Sequence, residues 1–383
     1  MIMRFPVLAL GLSILSLSAA CDQKALTQFQ NDFQNLIEDP LDTSPYPVVI
    51  GGDDANVFYA TNLADIPFRI DGHRDSYIIP GLLGPSNVYE FQKNRPDLIR
   101  PLAPSATGFI QRLVTDGRFV AYVNVGWDGE RITLDSVSVE DLSAGLLGAT
   151  PKTVVDVSDN DAQFILPDLK IDAGRLAVIL ADTRTDITSV RIVDLFGGSA
   201  DVEFEVGSNL VAADLSASRF AYAAYLDDGF VVVLRDIATG DAVVLPEGDI
   251  GAGPFVSDLY LTANSVVWSQ YVSSDLRRVT RYDIPTEQTR VISEGVLGRL
   301  AGATDDFLLT EEFIDRSAED KPAKYRIRRI DMNGATKQLA EFKAVGLAGQ
   351  ARVVGNRAIW VNPERKIVIA PFDNRDRTAF KPY

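Results

Sequence analysis

The chain has one histidine, His73 in "RIDGHRD", and one cysteine, Cys21. A metal centre built from several histidines is therefore excluded, and a Ser-His-Asp arrangement has only His73 to draw on. No G-x-S-x-G marks a nucleophile, so His73 reads as a loop residue. Carboxylates are the abundant chemistry, with 53 acidic side chains against 37 basic ones. At that density pairs arise by chance, and spacing cannot single out the acid and nucleophile of a glycosidase. The stretch "DVSDNDAQ" clusters Asp156, Asp159 and Asp161, hard oxygens of the kind calcium takes, but it lacks the Gly and final Glu of an EF-hand loop. It reads as a solvated loop, with calcium binding as the alternative. No glycine-rich phosphate loop follows a strand and opens a helix, and no cofactor is expected.

What does recur is an aspartate after a strand-like run, usually with Gly three or four residues on. It appears in "VSVEDLSAG" (Asp141), "VRIVDLFGG" (Asp194), "VVLRDIATG" (Asp236 and Gly240), "VTRYDIPTE" (Asp283), "IRRIDMNG" (Asp331) and more loosely "VIAPFDNRD" (Asp373). A carboxylate there accepts backbone N–H bonds from the residues just ahead, and Gly supplies the left-handed position of a tight connection. These aspartates are expected to build turns. Each precedes another alternating apolar run, such as "TVVDV", "DVEFEV" or "AVVLP". A second pattern, an apolar run, a small or polar pair and another apolar run, is anchored on Asn56, Gly117, Gly174, Ser218, Asn264, Asp306 and Asn356, about every 40 to 60 residues. An apolar residue sits two places beyond most anchors, as at Phe119, Leu176, Phe220 and Val266, and a hairpin accounts for both features.

Together the patterns read strand, tight turn, strand, variable loop, strand, Asp turn, strand. Repetition of four short antiparallel strands predicts an all-β chain folded as a β-propeller, with seven blades and six or eight as alternatives. The chain resembles the TolB-like and WD-repeat propellers of bacterial envelopes in its Asp-x-x-Thr-Gly turn. It departs from them in having only degenerate "T-D-G", "D-A-G" and "S-A-S" forms of the S-P-D-G turn, and no Trp-Asp dipeptide. The resemblance implies a fold and leaves function open. Trp268, Trp360 and Tyr222 fall four residues past their anchors and are expected to fill the wedges between blades.

The first residues read "MIMRFP", an apolar run from Val7 to Leu17, and "SAAC" ending at Cys21. This has the form of a secretory signal. Leu17 to Cys21 resembles the lipobox of bacterial lipoproteins, although Ser18 stands where Leu is usual. The resemblance implies cleavage after residue 20, a lipidated Cys21, and a mature chain without thiols. Residues 21–47 are expected to form a tether, with one short amphipathic helix and a Pro-rich linker, and 48–383 the propeller. The formal net charge of −16, about −17 once Arg4 leaves with the signal, argues against nucleic acid as a partner.

In this architecture both tight turns of a blade lie on one face, and the second-to-third loops lie on the other. The latter are long and varied, as in "NVGWDGER", "ADTRTDIT", "YLDDG", "YVSSDLRR", "EEFIDRSAEDKPAK" and residues 61–86. Variation on one face of a regular scaffold marks a binding surface. It is predicted to include Trp127, Asp182, Arg184, Tyr225, Asp227, Tyr271, Arg277, Glu312 and Arg365. The leading expectation is a non-enzymatic scaffold at the cell envelope, facing the periplasm or exterior and held to the membrane by its lipid, that binds a protein or peptide partner. The alternative is a propeller hydrolase or lyase acting on an extracytoplasmic glycan or ester.

Overall fold

The computed structural model describes residues 48–52, 56–60, 67–69, 76–78, 88–92, 95–102, 109–127, 132–141, 143, 151–156, 168–182, 185, 187–207, 210–226, 229–246, 256–272, 276–315, 323–344, 349–355, 357–364, 366–371 and 378–380, with side chains between 114 and 371. The expected signal and tether, with Cys21, lie outside the described residues, as do His73 and Asp373.

Every regular element described is a strand apart from a single-residue helical turn at Ser143. The first are β1 (Val48–Gly52), β2 (Asn56–Ala60), β3 (Pro67–Arg69), β4 (Ser76–Ile78), β5 (Val88–Gln92), β6 (Arg95–Leu102), β7 (Phe109–Thr115), β8 (Phe119–Trp127), β9 (Ile132–Asp141) and β10 (Lys152–Asp156). Eight of these share one sheet in the order β10-β9-β8-β7-β1-β2-β5-β6. It consists of two four-stranded antiparallel halves joined by one parallel bridge, Gly51 opposite Thr115. β3 and β4 pair only with each other, in a compact unit distinct from the rest. The segment 61–86, read from sequence as one open loop, thus contains a short hairpin, whose three-residue strands are too brief to show a period.

The remaining strands form four-stranded antiparallel sheets in chain order: β11 (Asp168–Asp172), β12 (Arg175–Asp182), β13 (Ile187–Asp194) and β14 (Val202–Glu205); β15 (Leu210–Leu215), β16 (Arg219–Leu226), β17 (Gly229–Asp236) and β18 (Ala242–Val244); β19 (Val256–Leu261), β20 (Ser265–Tyr271), β21 (Leu276–Asp283) and β22 (Gln288–Leu297); β23 (Arg299–Ala303), β24 (Phe307–Asp315), β25 (Ala323–Asp331) and β26 (Thr336–Ala344); and β27 (Gly349–Val354), β28 (Arg357–Val361), β29 (Ile367–Pro371) and β30 (Thr378–Phe380). Their first strands adjoin in cyclic order, β7 to β11, β15, β19, β23 and β27, and β27 adjoins β1. This is the β-propeller arrangement. Among the described residues no sheet combines strands from the two ends of the chain, and β1 meets β27 and β28 by packing.

Alternation along each second strand sends residues to both neighbouring sheets, which explains why these strands are largely apolar on both faces. Phe119, Leu176, Phe220 and Val266, two residues beyond their anchors, are at most 4% exposed. Trp268 and Trp360 are fully buried between sheets, and Tyr222 is half-buried against the cluster around Phe220.

The third strands β9, β13, β17, β21 and β25 end on Asp141, Asp194, Asp236, Asp283 and Asp331 respectively. Asp236 Oδ1 accepts the N–H groups of Ala238 at 2.9 Å and Thr239 at 3.0 Å, and Gly240 has φ +78°. Asp194 receives Phe196 N–H at 3.0 Å and the Ser199 hydroxyl at 2.7 Å. In Asp283 the Thr286 hydroxyl, at 2.7 Å, takes the corresponding place. The bond from the Thr239 amide holds the Asp236 carboxyl below its usual range, and the Ser199 and Thr286 hydroxyls do the same for Asp194 and Asp283.

Candidate functional site

Trp127, Asp182 and Tyr271 are the last residues of β8, β12 and β20, opposite Ile132, Ile187 and Arg277, and Tyr225 in β16 stands opposite Phe230. All lie at the second-to-third hairpin ends of their sheets, away from the aspartate turns. They are strand residues and not loop residues, because pairing continues further than the polar composition of these segments suggests. Glu312 is furthest from its expected setting. It is the sixth residue of β24, paired with Arg326 and fully buried, where the sequence placed it in a long loop. Arg184, Asp227 and Arg365 lie outside the described residues, as do Asp159 and Asp161, and Asp156 is the last residue of β10. Among the described residues no three His, Cys, Asp or Glu side chains form a group able to hold a metal ion.

The structure brings Tyr271, Arg277 and Glu312 to one wedge, between the β19–β22 and β23–β26 sheets. Val267 and Val279 pack with Leu308 and Ile330 there. By strand alternation Ser269, Tyr271 and Arg277 share the face of Val267 and Val279, and Thr310, Glu312, Arg326 and Arg328 share that of Leu308 and Ile330. Arg277 is the hub of the first group. Its guanidinium lies 4.6 Å from the centre of the Tyr271 ring, donates to the Tyr271 hydroxyl at 2.9 Å and donates to Asp258 Oδ2 at 2.9 Å. Asp258 Oδ2 also accepts the Ser269 hydroxyl at 2.8 Å and Leu300 N–H, from the next sheet, at 3.1 Å. Across the wedge Glu312 Oε1 accepts Arg328 Nε at 2.8 Å and a second, shorter bond from Arg328 Nη2. Glu312 Oε2 has no hydrogen-bond partner, with Arg326 Nη1 3.9 Å away. Burial pushes the Glu312 carboxyl up, against the opposing pull of Arg328.

Both carboxylates of this wedge are matched to guanidinium groups held in place by β-ladders. Such an array presents fixed, directional polar groups and is suited to recognition.

Sequence reasoning missed a second set of carboxylates, which join successive sheets. Asp116 Oδ2 accepts Gly174 N–H at 2.7 Å, Asp172 accepts a backbone bond from Ala217, Asp214 Oδ2 accepts Leu261 N–H at 2.8 Å, Asp258 accepts Leu300, and Glu311 Oε2 accepts Ala351 N–H at 3.2 Å. Each side chain reaches a main-chain donor of the following sheet. Glu311 also holds Arg299 by Nε at 2.9 Å and Nη2 at 2.6 Å. Burial raises the Asp172 carboxyl and pushes that of Asp214 up to about 6.

No family model matches the sequence, and no curated protein matches it. Among solved structures the chain is similar to an oligogalacturonate lyase from Vibrio parahaemolyticus, at 11% identity over 87% of this chain and 92% of that one, with a TM-score of 0.59. It is also similar to a puromycin hydrolase, at 13% identity over 89% of this chain and 55% of that one, TM-score 0.56. TolB from Acinetobacter baumannii aligns more loosely, at 15% identity over 76% and 75%, TM-score 0.41. At such identities the likeness to the first two is one of fold, and with the cyclic order of four-stranded sheets it identifies the chain as a β-propeller protein.

Proposed function

We propose that the chain is a lipid-anchored scaffold of the bacterial cell envelope, facing the periplasm or exterior, whose seven-bladed propeller binds a protein or peptide partner on its second-to-third hairpin face. Division of the eight-stranded sheet at its single parallel bridge supports a count of seven. The observation that carries the binding reading is the Tyr271–Arg277–Asp258 chain at one hairpin end, faced across the wedge by Glu312 and Arg328. An aromatic ring and guanidinium groups fixed by their neighbours, at the edge of a rigid sheet, recognise peptide groups without first being ordered. Anchoring through Cys21 would keep this face close to the membrane.

The test is crosslinking of the lipidated protein in its native envelope, with identification of the captured species. A specific protein partner, lost when Tyr271 is changed to Ala, is the expected result. Capture of no protein, together with turnover of a polysaccharide or ester that stops on neutralising carboxylates of the same face, would replace the scaffold reading with the hydrolase or lyase one.

A further inference from the structure

The first strands β1, β7, β11, β15, β19, β23 and β27 close a ring, each beside the next. Sheets arranged in this way surround a central channel. A first strand is covered on both faces by neighbouring sheets and along one edge by its own second strand, so the surface its side chains leave accessible opens on that channel. The side chains of Asp168 and Lys170 in β11 are 44% and 31% exposed, that of Arg299 in β23 is 35% exposed, and Arg352 in β27 is exposed outright. Ala351 and Val353, on either side of Arg352, pack into the cluster of Phe307 and Leu309 from the preceding sheet. Alternation therefore turns Arg352 away from that sheet.

The Arg352 guanidinium lies toward the axis. Asp168 of β11 and Tyr260 of β19 both act on its charge, although neither strand is a neighbour of β27 in the ring. The region close to β11, β19 and β27 together is the channel. Burial, and after it the like charge of Arg299, pushes the guanidinium below its usual range. A group that is open to solvent and yet desolvated by the protein around it stands in an enclosed space with room beside it. Asp168, Asp258 and Glu311 are each already matched, by Lys170 at 3.3 Å, Arg277 at 2.9 Å and Arg299 at 2.6 Å. Among the described residues no carboxylate forms an ion pair with Arg352. Water can satisfy the hydrogen bonds of a guanidinium but not its charge, which in a confined space draws an anion.

Each first strand runs from the second-to-third hairpin face toward its tight turn, and Asp168 and Arg299 are the opening residues of theirs. The charges around Arg352 thus lie just inside the hairpin face. We propose that this mouth of the channel is a binding site for a singly charged carboxylate, held by Arg352. The planar guanidinium fork takes a carboxylate in two parallel bonds. A doubly charged phosphate would gain the same single cation and meet twice the repulsion from Asp168 and Glu311. The site stands on its own residues and does not depend on the partner reading. The carboxylate can belong to a small organic acid or to the end of a peptide. Titration of the full chain with acetate, inorganic phosphate, a short N-acetylated peptide acid and the same peptide as its amide distinguishes these cases. The readout is the Arg352 Nε–H resonance, assigned by its loss in Arg352→Gln. The expected result is a saturable shift with acetate or the peptide acid, absent with the amide and with chloride at equal ionic strength. Tighter binding of the peptide acid than of acetate would assign the source to a peptide terminus, and the reverse to a small acid.

The same carboxylate should raise the urea midpoint of the parent. It should do so equally in Arg290→Gln, which removes one positive charge from an exposed position on the outer strand β22. In Arg352→Gln the affinity read in this way should fall at least about tenfold, the loss of one charge-assisted contact. Without ligand Arg352→Gln should be as stable as the parent or more so, because the charge it removes is one that burial disfavours, and lost binding is then not lost folding. No saturable shift from either carboxylate, the same shift from chloride, tighter binding of phosphate than of both carboxylates, or undiminished affinity in Arg352→Gln would overturn the proposal.

Discussion

Replacement of Asp258 by Ala tests whether the carboxylates between sheets hold the propeller together. The Asp258 side chain is 20% exposed and that of Arg277 8% exposed, so the pair is largely withdrawn from water. Removing the carboxylate strands the Arg277 guanidinium and takes the acceptor from Leu300 N–H and the Ser269 hydroxyl. Breaking a buried pair by deleting one partner costs about 3–5 kcal/mol, and the partial exposure of Asp258 places this case near the lower end, about 3 kcal/mol. Arg277→Met retains most of the apolar stem and removes the charge, and the double variant leaves no stranded ion. A cycle of the four proteins, read by urea unfolding, should give a coupling of about 2 kcal/mol, with the double variant more stable than Asp258→Ala alone. Hydrogen exchange at the Leu300 amide should quicken in Asp258→Ala and stay quick in the double variant, since neither restores its acceptor. A cost below about 1 kcal/mol for Asp258→Ala, or simple additivity of the two changes, would refute the reasoning.

Three further outcomes follow from the structure. The Asp214 carboxyl titrates at about 6 in the fold against 3.8 unperturbed. Its contribution to stability is therefore complete below pH 3.8 and is lost as pH rises through about 6, by about 3 kcal/mol at most. The parent should lose stability relative to Asp214→Asn across that window, and parallel pH profiles of unfolding free energy would contradict this. Gly298 has φ +104°, and a Cβ there would lie 2.2 Å from the Glu311 carbonyl oxygen. Gly298→Ala should thus cost about 3 kcal/mol in chemical denaturation, whereas Gly197→Ala, with φ +71° and open space around it, should cost about 1 kcal/mol. Cys21→Ala should leave a soluble or unprocessed protein on membrane fractionation, and mature protein that still partitions with membranes would show that something other than lipid holds it.

The fold was legible in the sequence because its turns repeat in register. Asn264 and Asp283, for example, mark the two tight connections of one sheet, and the alternating runs around them are too short and regular for any other periodicity. The site was legible only as a face. Glu312 looked like part of a loop because polar residues surround it in sequence, but β24 carries it into a wedge where Arg328 compensates its burial. The carboxylates that reach the next sheet left no pattern at all. Asp116 directly precedes its turn anchor Gly117, Asp214 lies four residues before Ser218, and Glu311 sits in a second strand. They perform one task from different registers, because what selects them is the position of an amide on another sheet.

These carboxylate contacts also have a direction. For Asp116, Asp214, Asp258 and Glu311 the acceptor belongs to the earlier sheet and the amide to the later one, whereas Asp305 of the β23–β26 sheet accepts Asn264 N–H of the preceding sheet at 3.1 Å. A polypeptide that emerges amino end first therefore displays those four receptors before the segments that dock on them, and growth can proceed by addition to a finished edge. The meeting of β27 with β1 is different in kind, since it joins segments some 300 residues apart and, among the described residues, shares no strand across the seam. Its closure carries the largest entropy of encounter in the ring and must come last. Mechanical or thermal opening should start at the same place, which makes that junction the natural hinge of an otherwise stiff assembly.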